Sequence, residues 1–172
     1  MGRLMVGELA PEFALPSQSG RMVKLSDFRG DRCVVVYFYP RDFSRGCELE
    51  ARTFASSYGS FRSLDAEILG VSSDTVETHR DFADRFRLPF PLLSDRENRV
   101  RRLYRVSATF GLIPGRVTYI VDREGFIRHM YSSQRASERH TREALNALAR
   151  IVGRRPPEGA GGELESLRDD AS

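Results

Sequence analysis

One stretch of the sequence decides the fold: Val34-Val-Val-Tyr-Phe-Tyr-Pro40-Arg-Asp-Phe-Ser44-Arg-Gly-Cys47-Glu-Leu-Glu-Ala-Arg52. It opens with a β-branched and aromatic run that is too short to cross a membrane, which predicts a buried strand. Pro40 ends the strand, and Ser44 begins a helical pattern three residues before Cys47. Cys47 is thus expected in the first turn of a helix, where unpartnered N–H groups and the positive dipole end favour a thiolate.

Composition predicts one soluble globular domain. The chain has 172 residues, of which 40% are hydrophobic, and a formal net charge of +3. No apolar run is long enough for a signal peptide or a membrane span, so we expect a cytoplasmic protein with no membrane partner. A group of arginines could bind anions, but it lacks interleaved aromatic residues and a reader motif, so we predict a solvated helix face and no nucleic-acid binding. The group comprises Arg96, Arg99, Arg101, Arg102 and Arg105.

Hydrophobic periodicity predicts strands and helices that alternate along the chain. Segments 13–15 and 22–25 predict an N-terminal β-hairpin, and longer core strands are predicted over 33–39, 67–72, 117–121 and 126–131, the last two as antiparallel neighbours. The helix that bears Cys47 carries Phe54, Tyr58 and Phe61 on one stripe. Further helices are predicted after a capping box formed by Asp74 and Glu77, over 97–104, and over 137–152.

These elements predict an α/β fold with a central mixed β-sheet flanked by helices. The pattern resembles a thioredoxin-like fold, although periodicity alone does not separate that fold from other three-layer α/β folds. We assign residues 1–153 to this domain. From residue 154 to residue 172, proline, glycine and acidic residues dominate, which predicts a disordered tail.

The two cysteines are expected to be free thiols. Cys33 and Cys47 flank a strand about 20 Å long, at roughly 3.3 Å per residue, whereas a disulfide needs Cα atoms within about 7 Å. We interpret Cys33 as a small buried apolar residue. The three histidines, His79, His129 and His140, have no ligand spacing, so we assign no metal site and no cofactor.

Pro40, Ser44 and Cys47 stand at the spacing of the peroxiredoxin signature. The surrounding stretch resembles the bacterioferritin comigratory protein, or peroxiredoxin Q, subfamily, and further matching segments extend the resemblance over about residues 4–152. These segments are Gly7-Glu-Leu-Ala-Pro-Glu-Phe-Ala-Leu-Pro16, Leu25-Ser-Asp-Phe-Arg-Gly30, Gly70-Val-Ser-Ser-Asp74, Leu92-Leu-Ser-Asp95 and Arg116-Val-Thr-Tyr-Ile-Val-Asp122. The resemblance implies a thioredoxin-like fold and a thiol-dependent peroxidase.

The resemblance also implies roles for individual residues. The Cys47 thiolate would attack hydrogen peroxide or a small organic hydroperoxide and become a sulfenic acid. Ser44 and the backbone N–H groups of Gly46 and Cys47 would hydrogen-bond the peroxide, Arg116 would supply a charged fork, and Pro40 would cover the pocket. Glu50 matches an acidic position that orients the backbone or an arginine, although a solvated helix glutamate is an alternative.

The sequence departs from the family just after Cys47. Arg52 stands where many relatives have a resolving cysteine, so we predict the one-cysteine type, recycled by an external thiol such as thioredoxin, glutaredoxin or a low-molecular-weight thiol. We expect a monomer or a homodimer. Glu48 would disfavour the thiolate, but its spacing permits an outward ion pair with Arg52, and Arg45 adds a cation beside the sulfur.

Two other functions use the same thiol. The chain could be a peroxide sensor or a redox-switched chaperone, in which Cys47 is oxidised without rapid turnover. A thiol–disulfide oxidoreductase is disfavoured, because Glu50 occupies the position of the second cysteine in a Cys-x-x-Cys motif.

Overall fold

A five-stranded mixed β-sheet forms the centre of the structure, a computed structural model that describes residues 4–108 and 115–154. Seven strands lie within these ranges: β1 (Ala14–Pro16), β2 (Met22–Lys24), β3 (Cys33–Phe38), β4 (Ala66–Ser72), β5 (Leu92–Ser94), β6 (Val117–Val121) and β7 (Ile127–Ser132). The central sheet has the order β5-β4-β3-β6-β7. Strand β4 runs parallel to β3 and β5, whereas β6 is antiparallel to β3 and β7.

The α/β architecture and the N-terminal hairpin predicted from the sequence are confirmed. Strands β1 and β2 form a separate antiparallel pair, and a short 3-10 helix, Leu25–Phe28, leads from it towards β3. The predicted antiparallel pairing of the last two strands is also present.

Five α-helices accompany the sheet in the described part of the chain: α1 (Arg45–Ser56), α2 (Tyr58–Ser63), α3 (Val76–Phe86), α4 (Arg99–Leu103) and α5 (Ser137–Ile151). The helix that bears Cys47 was predicted to continue past residue 58, but it ends at Ser56 and α2 follows a break at Ser57. Phe54 and Phe61 are nevertheless both fully buried. The apolar stripe therefore marked the buried side correctly but did not reveal the break.

The capping box predicted for α3 is wrong. Thr75 is the N-cap, and its Oγ1 accepts a hydrogen bond from the Thr78 backbone N–H at 3.0 Å. The carboxylate of Asp74 instead accepts the backbone N–H of Asp42 at 2.8 Å. This long-range contact to the loop after β3 occupies the side chain that the local pattern assigned to the helix.

Alternate residues of β3 enter two different apolar cores, as the period of a strand requires. Val35 and Tyr37 face the core that contains Cys47 and side chains of α1, α3 and α5. Val34, Val36 and Phe38 face a second core beneath the hairpin and α4. Within the described residues no helix has the length and apolarity to cross a membrane.

Parts of the sequence-based description lie outside the described residues. They are residues 109–114, which lie between α4 and Arg116 in the sequence, and residues 155–172, which make up nearly all of the tail predicted to be disordered. The domain boundary at residue 153 therefore stays a prediction.

Gly70 should be intolerant of a side chain. It lies on β4 beside Tyr37 of β3, and a Cβ at this position would lie 2.8 Å from Tyr37 and from Leu92. We expect Gly70→Ala to lower the free energy of unfolding by about 1–3 kcal/mol in urea titrations, because the buried ring has to move.

Gly59→Ala is the matched control. Gly59 lies in α2, and its added Cβ would meet no atom within 4 Å. Alanine there should be neutral or stabilising, by up to about 1 kcal/mol, because it favours the helix. Equal stability of the two variants would contradict the close packing at Gly70.

Candidate active site

Cys47 lies in the first turn of α1, where the sequence predicts it. Its side chain is buried, with 1% of the residue exposed, and the preceding loop joins α1 to the end of β3. Ser44 occupies the N-cap position of α1, but its side chain makes no capping bond, and its Oγ donates to the Arg41 carbonyl at 3.3 Å. The Ser44 hydroxyl therefore does not cap the N-terminus of α1.

Arg116 reaches Cys47 from the neighbouring strand. It directly precedes β6, and the β3–β6 register pairs Phe38 with Val117, which brings Arg116 to the end of β3 where the loop to Cys47 begins. Arg116 Nη2 donates to Cys47 Sγ at 3.3 Å, and Nη1 lies 3.5 Å from the Gly46 carbonyl. A cation therefore lies directly beside the sulfur.

Glu50 is the buried partner of Arg116. Its carboxylate is fully buried and forms an ion pair with Arg116 Nη1, so the alternative of a solvated helix glutamate is wrong. Burial raises the pKa of Glu50 to about 7, although the Arg116 charge acts in the opposite direction. Burial alone would lower the pKa of Arg116, but Glu50 and Cys47 outweigh it and the pKa is raised.

His140 lies behind this ion pair, a position that the sequence analysis did not anticipate. Its Nε2 donates to the Ser133 carbonyl at 3.0 Å, and its Nδ1 contacts the Thr118 hydroxyl at 2.7 Å. Burial, together with the Arg116 charge, lowers the pKa of His140 to about 4, although the hydrogen bond to the Ser133 carbonyl acts in the opposite direction. The imidazole is therefore neutral near pH 7, with the Nε2 proton on the carbonyl side and Nδ1 accepting from Thr118.

One carboxylate oxygen in this cluster has no hydrogen-bond partner within the described residues. Glu50 Oε1 is buried and unpartnered, and lies 3.6 Å from His140 Nδ1, a distance beyond hydrogen bonding. When Glu50 is ionised, its Oε1 and the Nδ1 of the neutral His140 imidazole are both hydrogen-bond acceptors, so neither can donate to the other. This mismatch is consistent with a raised Glu50 pKa, since protonation removes one of the opposing acceptors.

The structure also brings Asp42, Asp74 and His79 together, with one potential metal-ligand atom from each within 4.8 Å of the others. These atoms already bond within the protein. His79 Nδ1 contacts Asp42 Oδ2 at 2.6 Å, and His79 Nε2 donates to the Leu93 carbonyl at 3.1 Å. Since Asp74 binds the Asp42 backbone N–H, the cluster ties the loop before α1 to α3 and β5.

Gly46 allows Arg116 to approach the helix. A Cβ at residue 46 would lie 3.2 Å from Arg116 Nη2, which is tighter than an ordinary contact.

Pro40 is half-buried in the loop after β3, and its proposed covering role stays a prediction. Cys33 is a second buried free thiol at the opposite end of β3. The predicted outward pair of Glu48 and Arg52 is present at 3.6 Å.

The solvated face predicted for the arginine group is wrong for Arg101. This side chain is buried, with 7% of the residue exposed, and its guanidinium donates to the carbonyls of Tyr39 at 2.6 Å and Gly115 at 2.8 Å. The helix is too short for its buried side to be read from periodicity, because α4 spans only Arg99–Leu103.

Glu50 and His140 should make opposite contributions to the pH dependence of stability. Between the ordinary pKa of glutamate, 4.5, and about 7, the unfolded chain releases a proton that buried Glu50 keeps, so stability falls as pH rises. Between about 4 and the ordinary value of 6.5, the unfolded chain binds a proton that buried His140 does not, so stability rises with pH.

We therefore expect Glu50→Gln to make the slope of unfolding free energy against pH more positive between about pH 5 and 6.5, and His140→Gln to make it more negative. Urea titrations at several pH values measure both slopes, with Glu48→Gln on the outer side of α1 as the matched control. Unchanged slopes in both variants would contradict the buried pair.

Known proteins resemble this chain in sequence and in fold. Residues 6–130 match the AhpC/TSA family. A chloroplastic peroxiredoxin Q of Oryza sativa subsp. japonica is 44% identical over 148 residues, which cover 86% of this chain and 68% of the relative.

Two solved structures are similar in fold. Peroxidoxin BcpB of Mycobacterium tuberculosis has a TM-score of 0.79 at 31% identity, over 85% of this chain and 97% of that one. A peroxiredoxin Q of Xanthomonas campestris has a TM-score of 0.75 at 27% identity, over 81% and 91% of the two chains. These similarities confirm the predicted thioredoxin-like fold.

The predicted cytoplasmic location is contradicted by the relatives. The matching plant proteins of rice, wheat and Sedum lineare are named as chloroplastic and not as cytoplasmic. The prediction rested on the lack of an apolar signal-peptide core, and that criterion addresses secretory export only, because organelle-targeting segments are polar and amphipathic.

The family match, the identity to curated peroxiredoxin Q proteins and the shared fold lead to one conclusion: the chain belongs to the AhpC/TSA family and is a thiol-dependent peroxidase of the peroxiredoxin Q group.

Proposed function

We propose that this peroxidase reduces hydrogen peroxide and small organic hydroperoxides through a sulfenic acid at Cys47, and that an external thiol restores the enzyme. The observation that carries the proposal is the Arg116 guanidinium, which touches Cys47 Sγ with one nitrogen and the Glu50 carboxylate with the other. This contact supports a thiolate at Cys47 and a fixed cation beside the breaking O–O bond.

In the first step the Cys47 thiolate attacks one peroxide oxygen. The S–O bond forms as the O–O bond breaks, and the leaving oxygen takes up a proton to depart as water or an alcohol. The sulfur is oxidised to a sulfenic acid and the peroxide is reduced. Negative charge moves from sulfur to the leaving oxygen, so a cation that contacts the sulfur can stabilise both ends of this transfer.

Three further groups would hold the peroxide. The first-turn N–H groups of Gly46 and Cys47 have no intrahelical acceptor and can donate to an oxygen near the sulfur. The Ser44 hydroxyl donates to the Arg41 carbonyl and does not cap the helix, so its oxygen can accept a hydrogen bond from the peroxide. Pro40 adds no N–H and would keep water from the sulfur.

The burial of Cys47 supports small substrates. With 1% of the residue exposed, little of the sulfur can be reached by a bulky molecule unless the first turn of α1 opens. Hydrogen peroxide and short-chain hydroperoxides need the least opening, so we propose that they react faster than bulky hydroperoxides.

In the second step an external thiol attacks the sulfenic sulfur, forms a mixed disulfide and releases water, and a further thiol then reduces that disulfide. Thioredoxin, glutaredoxin and low-molecular-weight thiols are the reductant classes proposed.

Cys33 is buried at the far end of β3, and burial raises its pKa, so it is poorly placed to supply this thiolate. The groups around Cys47 come from one chain, which permits either a monomer or a homodimer.

Cys47→Ser should reduce peroxide consumption to the level of buffer with thiol, because serine forms no sulfenic acid. Cys33→Ser is the matched control and should retain activity. The measurement is peroxide loss with thioredoxin, glutaredoxin or dithiothreitol as donor. Equal activity of the two variants would refute the role of Cys47, whereas rapid sulfenic acid formation without turnover by any donor would favour a peroxide sensor.

Gly46→Ala tests the contact between Arg116 and α1. The added methyl would lie 3.2 Å from Arg116 Nη2, and Glu50 restrains the arginine from moving aside. We expect the second-order rate with hydrogen peroxide to fall about three- to tenfold, because the guanidinium is displaced from the sulfur. Gly59→Ala, in an open position of α2, should leave the rate unchanged, and an unaltered rate in Gly46→Ala would show that the arginine position is not critical.

A further inference from the structure

A second arginine, Arg101, holds both chain segments that meet at the proposed site. Its Nη2 donates to the carbonyl of Tyr39, which directly precedes Pro40, and its Nη1 donates to the carbonyl of Gly115, which directly precedes Arg116. One guanidinium thus links the loop that leads to Cys47 with the start of the strand that supplies Arg116.

Both the backbone and the guanidinium of Arg101 are anchored. The Asp95 carboxylate accepts the backbone N–H groups of Val100 and Arg101, at 3.2 and 2.9 Å, and so anchors the first turn of α4. The guanidinium lies 5.8 Å from the centre of the Phe38 ring, at the end of β3. A rigid donor of this kind can position the segments that it binds.

The positive charge of Arg101 is only partly balanced. None of the ion pairs within 4.0 Å in the described ranges includes Arg101. Burial lowers the pKa of Arg101, whereas the charges of Asp95 and of an ionised Cys47 raise it.

We propose that Arg101 is a positioning residue of the peroxidase, which fixes the Tyr39 and Gly115 carbonyls directly before Pro40 and Arg116. The inference rests on the proposed role of Cys47. The inference goes further than that role, because it gives a function to an arginine that contacts neither the Cys47 sulfur nor the peroxide in the proposed pocket.

Other groups also act on Cys47 and have to stay unchanged in the test. They are Arg116, which directly precedes β6 and contacts the sulfur, its partner Glu50 from α1, and Tyr37 from β3. Each is retained when only Arg101 is replaced, so a change in Cys47 ionisation reports on Arg101.

The test compares Arg101→Met, Arg101→Lys and Arg102→Met with the full-length wild type. The readouts are the pH midpoint of Cys47 alkylation by iodoacetamide, in a Cys33→Ser background, and the second-order rate with hydrogen peroxide. Arg102 is the matched control, because it is exposed on the same helix and its Nη1 donates to the Glu97 carbonyl.

We expect Arg101→Met to slow peroxide reduction about tenfold at neutral pH and to raise the alkylation midpoint, because Arg116 would no longer be held beside Cys47 Sγ. Arg101→Lys keeps the charge but cannot reproduce the planar fork, so peroxide reduction should stay slow and the midpoint should stay raised. Arg102→Met should match the wild type in both readouts.

A folded Arg101→Met protein with the wild-type midpoint and rate would overturn the proposal. If Arg101→Met does not fold, Arg101→Lys decides, and a wild-type peroxide rate in that variant would equally overturn it. Cys47→Ser tests the proposed function separately. If Cys47→Ser loses activity while Arg101→Met behaves like the wild type, only the role of Arg101 is refuted.

Discussion

The contact on which the rest of the site depends is the Arg116 guanidinium between Cys47 Sγ and the Glu50 carboxylate. All three residues are at least nine-tenths buried, so the ion pair of Arg116 and Glu50 has lost most of its hydration. Such an arrangement is maintained only while its members remain together, since removal of one partner of a buried ion pair typically costs about 3–5 kcal/mol. The buried Glu50 carboxylate therefore keeps the Arg116 cation beside the Cys47 sulfur.

The sheet topology makes this contact possible. Because β6 runs antiparallel to β3, the residue before β6 lies at the end of β3, and the chain leaves that same end to form the first turn of α1. Residues nearly seventy positions apart in sequence thus meet over one strand end. Arg101 donates to a carbonyl on each side of this junction and Asp42 connects its loop to His79, so buried polar groups bind the site from two further elements.

The polar network around Arg116 leaves two buried atoms of the described residues, Glu50 Oε1 and Arg116 Nε, without a hydrogen-bond partner. Glu50 Oε1 faces the acceptor side of a neutral His140 without a hydrogen bond in the described part of the chain. Burial raises the pKa of Glu50 and lowers that of His140, so the groups shift in opposite directions for the same physical reason. The site combines a strong cation with a carboxylate that is close to protonation at neutral pH.

The sequence by itself determined the β3–loop–α1 unit, the placement of Cys47 in the first helical turn and the α/β class, because these follow from short-range hydrophobic periods and turn residues. The resemblance named Arg116 and left Glu50 open between two interpretations. Only the tertiary structure decided that Glu50 is buried against Arg116, that His140 lies behind it, that Asp74 binds a loop instead of capping α3, and that Arg101 is inside the protein. These outcomes depend on which distant backbone and side-chain groups meet at the end of β3, and burial of a charged residue is set by those partners rather than by its neighbours in the chain.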